Sequence, residues 1–333
     1  MVRFGLFGCG RIGAMHAANL ARHPDAELGA VYDVHAPAAA AVAAATGAEA
    51  VADVDAILGD AAVDAVLIAS STDTHADLLE ASAKAGKAVL CEKPIDLDID
   101  RVDAAKAAIA ATAVPIMVGF NRRFDPGHRA ARDAVRAGEI GALHQVIITS
   151  RDPALPPRAY LERAGGLLRD MTIHDFDLAR FMLDEEPTHV FAIANALGDP
   201  VLGRELDEVD TAMIVLRTAS GKMCHINNSR VAVYGYDQRV ELMGNDGMLV
   251  SGNRRPHELR RFSANRTESA EPLLHFFVER YQEAFTAEID HFVRCVATGA
   301  TPDASFEDGR RALLLANAAY RSLAEGRMVE VEG

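Results

Sequence analysis

Three groups of residues have the types and spacing to do chemistry. Gly8-Cys9-Gly10-Arg11-Ile12-Gly13 fills the pattern G-x-G-x-x-G, and Asp33 follows Gly13 at about 20 residues, the interval at which a carboxylate meets a nucleotide ribose. In such a turn Gly8 permits the tight bend, Gly10 lets backbone N–H groups approach a pyrophosphate, and Gly13 lets a helix pack closely on the strand before it. The helix N-terminus then faces the negative phosphates. Arg11 either lies along the pyrophosphate or is a solvated arginine. A carboxylate at position 33 accepts hydrogen bonds from a ribose diol and repels a 2′-phosphate. Neither Val34 nor His35 supplies a compensating cation, so NAD is expected rather than NADP.

The second group is Cys91-Glu92-Lys93-Pro94, which follows an apolar run and would put Lys93 at a C-terminal strand end, the edge where doubly wound sheets bind ligands. By composition alone the same tetrapeptide also suits a surface turn. The third is Asp170-Met171-Thr172-Ile173-His174, whose acid and imidazole stand four apart and share a helical face. A histidine beside a carboxylate suits proton transfer near neutral pH. By spacing alone a helix-stabilising pair is the better reading. A metal site is not expected, because no further His or Cys cluster supplies ligands at recognisable spacing.

The elements that must position these residues fall into two patterns. Over residues 1–120, short apolar runs at 2–7, 28–33, 63–69, 87–91 and 115–120 alternate with Ala-rich helical stretches at 14–22, 37–46, 74–85 and 100–111. Strands and helices alternating at this length predict βαβ units, hence a doubly wound parallel sheet of Rossmann type. From 121 to 333 the pattern changes. After a helix at 124–137, strand-like stretches recur at 143–150, 189–196, 212–217, 223–230, 239–243 and 248–250, and two of the connections carry hairpin chemistry. A helix is expected over 165–183, and two more over 281–298 and 306–325. The fold class is therefore α/β: a nucleotide-binding domain over 1–120, then an α+β domain over 121–333 with a large, open, mainly antiparallel sheet.

Composition limits the partners. The 333 residues carry 34 Lys+Arg against 48 Asp+Glu, a formal net charge of −14, which argues against nucleic-acid or anionic-membrane binding. The Arg-rich stretch 254–261 reads as a solvated loop or subunit contact. No apolar stretch approaches the ~20 residues needed to span a bilayer. Cys9, Cys91, Cys224 and Cys295 are far apart and show no C-x-x-C spacing. Buried reduced thiols are the expectation, and with them a cytoplasmic location.

Taken together, the Gly8–Gly13 turn, Ser70-Ser71-Thr72-Asp73-Thr74-His75, Glu92-Lys93-Pro94, Asn121-Arg122-Arg123-Phe124-Asp125 and Gly165-Gly166…Asp170…His174-Asp175-Phe176-Asp177 resemble, in this order, the Gfo/Idh/MocA oxidoreductases, and within them the inositol 2-dehydrogenases. The resemblance runs nearly the full length. It implies a catalytic set of Lys93, Asp170 and His174. His174 would take the hydroxyl proton, Asp170 would orient the imidazole, and Lys93 would bond the reacting oxygen while hydride passes to the nicotinamide. It also implies cofactor contacts from Ser70, Thr72, His75 and Glu92. Tyr281 is either a further cofactor contact or a core residue. The polyol would meet Lys93, Asn121, Arg122, Asp152, Asp170, His174 and Tyr236. Two departures stand out: Asn121 replaces a usual methionine, and Ser150-Arg151-Asp152-Pro153 replaces a His-Arg-Asn-Pro-like run. The implied activity is NAD-dependent oxidation of a cyclic polyol, myo-inositol first, by a cytoplasmic homotetramer. A scyllo-inositol or aldose dehydrogenase, an NAD-dependent glycosidase and a non-catalytic NAD sensor are the alternatives.

Overall fold

The computed structural model describes residues 1–333, and the chain divides by contact into two units: Met1–Phe124 with Ala284–Leu313, and Asp125–Glu283 with Leu314–Gly333.

The first unit is built on β1 (Val2–Phe7), β2 (Ala26–Tyr32), β3 (Glu49–Ala50), β4 (Ala65–Ile68), β5 (Ala88–Cys91) and β6 (Ile116–Val118). They form a wholly parallel sheet in the order β3-β2-β1-β4-β5-β6. Every residue of β4 and β5 is buried, which is why these runs are continuously apolar rather than alternating. The order reverses between β1 and β4, and that switch point opens above the first glycine turn. The helix Arg11–Leu20 buries Gly13, His16, Ala17 and Leu20, an i, i+3, i+4, i+7 stripe. Residues 284–313 were expected to belong with the second half. They join the first unit because Phe292 packs on Phe4 with ring centroids 6.1 Å apart, and because Ser305 bridges Met117 at the β6 edge.

The second unit carries β7 (Leu143–Arg151), β8 (Pro187–Asn195), β9 (Thr211–Thr218), β10 (Met223–Ser229), β11 (Asp237–Gly244) and β12 (Met248–Ser251). A small ribbon of β13 (Arg260–Ser263) and β14 (Arg266–Ala270) follows, and β15 (Val329–Glu330) closes the chain. The main sheet runs β12-β11-β7-β10-β9-β8-β15. All neighbours are antiparallel except β7 and β10, which are parallel. One face is covered by the almost wholly buried helix Thr172–Leu183, lying on β7 and β10. The opposite face leaves Ile193, Met213, Met223, Met243, Met248 and Val250 exposed, and strand register puts them on a common side.

Two local expectations change. The helix expected over 165–183 is two pieces, Leu167–Asp170 and Thr172–Leu183, parted at Met171. The one expected over 124–137 is Pro126–Arg136, entered through the 3₁₀ turn Asn121–Phe124. The Arg-rich stretch is a surface segment whose guanidiniums meet acids: Arg254 with Glu283 at 2.9 Å and Arg261 with Glu271 at 2.5 Å. All four cysteines are free and buried, and no helix is long and apolar enough to cross a membrane.

Candidate active site

In the first unit the glycine turn has the form its residues require. Gly8 adopts φ +91°, where a side chain would be strained, and a Cβ there would meet the Ala69 carbonyl at 2.5 Å. A Cβ on Gly13 would strike the Gly8 carbonyl oxygen at 1.9 Å, so the helix can approach the strand only with glycine at this position. Gly10 differs: a Cβ there meets nothing within 4 Å, so the turn is open above it. Gly10 caps the helix Arg11–Leu20 with no side-chain hydrogen bond, which leaves the N–H groups of Ile12 and Gly13 in its first turn to an outside acceptor. At the end of β2, Asp33 accepts from the Cys9 amide at 2.6 Å and from the His35 amide at 2.7 Å. Burial, and then the Asp33 charge, push the Cys9 thiol up to about 11. That thiol is therefore protonated at neutral pH and no nucleophile.

Beyond β4, Ser70 and Thr74 join hydroxyls at 2.7 Å at the head of the 3₁₀ turn Thr72–Thr74, and the Thr72 side chain is half-buried. His75 is 2% exposed. Its Nδ1 lies 2.7 Å from the Pro94 carbonyl and its Nε2 3.1 Å from the Ser70 carbonyl. Its ring thus fastens the loop after β4 to the loop after β5, and with it the segment that carries Lys93. Glu92 pairs with His16 Nε2 at 2.7 Å, while Lys93 is half-buried beside it. Asn121 and Arg122 are buried in the 3₁₀ turn after β6.

In the second unit, Gly166 has φ +87° and a Cβ on it would meet the Tyr320 hydroxyl at 2.1 Å, so the Gly165-Gly166 turn fits only without side chains. It launches the short helix that ends at Asp170. The Tyr160 hydroxyl donates to Asp170 Oδ1 at 2.7 Å, and Arg230 Nη2 donates to Oδ2 at 3.0 Å. His174 lies half-buried in the first turn of the next helix. Around that turn runs a buried network. Thr172 donates to Asn228 Oδ1 at 2.7 Å, Asn228 Nδ2 donates to Asp175 at 2.8 Å, and Ser150 Oγ donates to Gln238 at 3.1 Å. It fixes the His174 helix to β7, β10 and β11. Asp152 sits just past β7, half-buried, with its backbone tied to Ser229 and Ala232. Tyr236 is 4% and Tyr281 1% exposed, and their rings meet edge to face at 6.2 Å. The Tyr281 hydroxyl lies 3.4 Å from Gln238.

Residues 2–120 match the family model for the NAD-binding Rossmann fold of this oxidoreductase family, and residues 128–250 match the GFO/IDH/MocA C-terminal domain. The chain belongs to the Gfo/Idh/MocA oxidoreductases. It is 49% identical over 330 residues to the inositol 2-dehydrogenase of Rhizobium meliloti (strain 1021), covering 99% of each chain. Among solved structures it resembles a myo-inositol dehydrogenase from Corynebacterium glutamicum, with a TM-score of 0.97 and 43% identity over 100% of this chain and 99% of that one. It also resembles a scyllo-inositol dehydrogenase from Lactobacillus casei with NAD(H) and scyllo-inositol bound, with a TM-score of 0.92 and 30% identity over 99% of each.

The Gfo/Idh/MocA chain fits its dinucleotide on its own geometry. An open position above Gly10, uncapped helix amides and an anchored carboxylate at the end of β2 match a pyrophosphate and a ribose diol. Sequence reasoning missed Arg230 and Tyr160, which hold Asp170, and Asn228, which anchors the His174 turn. An arginine at the end of a strand, an exposed tyrosine and a strand asparagine carry no local signal. Their roles appear only once strands far apart in sequence are paired.

Proposed function

We propose that this chain oxidises a cyclic polyol with NAD, taking myo-inositol at C2 to the inosose. The full-length likeness to an inositol 2-dehydrogenase carries the reading. NAD, when bound, accepts the hydride from the carbinol carbon. The chain's own residues do the rest. The amides after Gly10 bind the pyrophosphate, and Asp33 and Glu92 bind ribose hydroxyls, with Ser70 and Thr72 lining the cofactor. His174 takes the hydroxyl proton onto an imidazole nitrogen, Asp170 orients that ring and stabilises its cation, and Lys93 donates to the reacting oxygen. Asn121, Arg122 and Asp152 bind the remaining ring hydroxyls. The alcohol thus loses one hydride and one proton, and a ketone is left.

Residues 1–120 serve the cofactor, and 121–333 serve the polyol and the subunit contacts. A homotetramer in the cytoplasm is the assembly we infer, supported by the exposed methionines and aliphatic side chains on the outer face of the main sheet. A second reading, scyllo-inositol as substrate, draws support from the relative that holds that isomer. Both readings are tested by following NADH formation with myo-inositol, scyllo-inositol and a panel of aldoses. Fastest turnover of myo-inositol is expected, fastest turnover of scyllo-inositol would favour the second reading, and turnover of no cyclic polyol would overturn both.

A further inference from the structure

Glu288, on the helix Gln282–Thr298, is 0% exposed, and neither of its carboxylate oxygens has a hydrogen-bond partner. One turn earlier on the same helix, Phe285 stands edge-on to the His16 ring, with centroids 5.5 Å apart at 90°. His16 is itself 1% exposed; its Nε2 pairs with Glu92 and its buried Nδ1 is unpartnered. Gly119 closes over Glu92, since a Cβ there would lie 2.9 Å from Oε2. Two acids and an imidazole are thus gathered inside the first unit, and one of them, Glu92, follows β5 at the ligand-binding edge.

An ionised carboxylate without a hydrogen bond is costly at such a site, so Glu288 carries a proton there as long as no cation lies near enough to offset that cost. Burial, and next the charge of Glu92, push its carboxyl well above the ordinary carboxylate range. The other charged groups on this helix are engaged elsewhere or exposed: Glu283 with Arg254 at 2.9 Å, Asp290 with His23 at 2.9 Å, His291 with Cys295 and the Asp303 amide, and Arg294 on the surface. Leucine or methionine would fill position 288 at less cost, so packing does not explain an acid there.

We propose that Glu288 is a proton store that distinguishes the two oxidation states of the cofactor. The oxidised nicotinamide ring is a cation and the reduced ring is neutral. When the cation lies at the edge that Glu92 occupies, Glu288 gives its proton to solvent and becomes a carboxylate. When the neutral ring is bound, the proton stays. This rests on NAD binding by the first unit and adds to it a linkage between charge and protonation.

The test is calorimetry of NAD⁺ and NADH binding to the full chain at pH 8, in phosphate and in Tris, for the wild type and Glu288→Gln. Wild-type NAD⁺ binding is expected to release protons, read as a heat that differs between buffers, while NADH binding does not. Glu288→Gln should lose that difference and still bind NADH. Over the range in which the proton is released, the NAD⁺/NADH affinity ratio of the wild type should rise with pH by up to about tenfold per pH unit, and that of the variant should stay flat. Infrared difference spectra of the wild type alone should show a carboxylic-acid C=O band lost on adding NAD⁺. Absence of proton release in the wild type, equal release in Glu288→Gln, or no such band would overturn the proposal. Failure of either protein to bind NADH would instead count against the cofactor reading itself.

Discussion

Cys9 donates its backbone N–H to Asp33 at 2.6 Å, which ties the first glycine turn to the end of β2. With the His35 amide on the other oxygen, the carboxylate is fixed before any ligand arrives. An ionised carboxylate offers about four lone-pair sites, so two amides leave room for a diol. Asp33→Ala should weaken NAD about 10–100-fold, the loss of charge-assisted hydrogen bonds of ~1.5–3 kcal/mol, while NADP affinity falls less or improves. Fluorescence titration of both nucleotides measures this. An unchanged NAD:NADP ratio would mean that Asp33 does not choose the cofactor.

The Asp170 carboxylate is gripped by Tyr160 on one oxygen and by Arg230 on the other. If His174 is the general base and Asp170 its orienting partner, His174→Ala should lower kcat by about 10²–10⁴ with NAD affinity intact. Tyr160→Phe, which removes one grip and leaves the carboxylate, should cost much less. Steady-state kinetics with myo-inositol alongside NAD titration separates the two effects. A rise in KM at constant kcat for His174→Ala would exclude it from the proton transfer.

His75 acts on the site from a distance, through two backbone carbonyls. In His75→Leu the Ser70 and Pro94 carbonyls lose the ring between them; a neutral imidazole donates to one of the two, so about 1–3 kcal/mol is lost, and the segment carrying Glu92 and Lys93 loses its fastening. The expected result is a lower Tm together with weaker NAD binding. His75→Asn, which can restore one of the bonds, should recover part of both. Thermal melts and NAD titration read the outcome; a variant that melts lower yet binds NAD normally would confine His75 to stability.

How much of this is legible in the sequence depends on how local each determinant is. The Gly8–Gly13 turn and Asp33 can be read directly, because one strand–turn–helix unit sets their spacing. The Asp170–His174 interval predicted one helical face, and the helix breaks between them at Met171. The reason is not local: the Thr172 hydroxyl donates to Asn228 of β10 at 2.7 Å, which ties the start of the second helix to a strand far away in sequence. The parallel pairing of β7 with β10, and the return of residues 284–313 to the first sheet, are likewise settled by packing across long stretches of chain. Glu288 is hidden for the same reason. On an amphipathic helix a glutamate reads as solvated, and only the surroundings of Phe285 and His16 put it inside.

The second unit has its own buried ion pair, and its pH behaviour follows from geometry. Asp125 and Arg280 are 1% and 2% exposed; Arg280 Nη1 donates to Asp125 Oδ2 at 2.5 Å, while Oδ1 caps the helix Pro126–Arg136 through the Gly127 and His128 amides. Burial raises the Asp125 carboxyl, but the charges of His128 and Arg280 and the bonds they donate outweigh it, and the net shift is downward. A depressed carboxylate stabilises the fold fully above its unfolded value of about 3.9 and loses that contribution as pH falls through its lower folded value. Arg280→Met leaves buried Asp125 without its hydrogen-bonded cation, with Arg254 at 3.8 Å and His128 the charges that remain, and should destabilise this unit by up to about 3–5 kcal/mol near pH 7. In acid, where Asp125 takes up a proton in the variant first, the gap between variant and wild type should narrow. Urea unfolding followed at pH 7 and again near pH 4 reads both halves of this expectation. A gap that stays constant between the two would mean that the pair contributes by packing and not by charge.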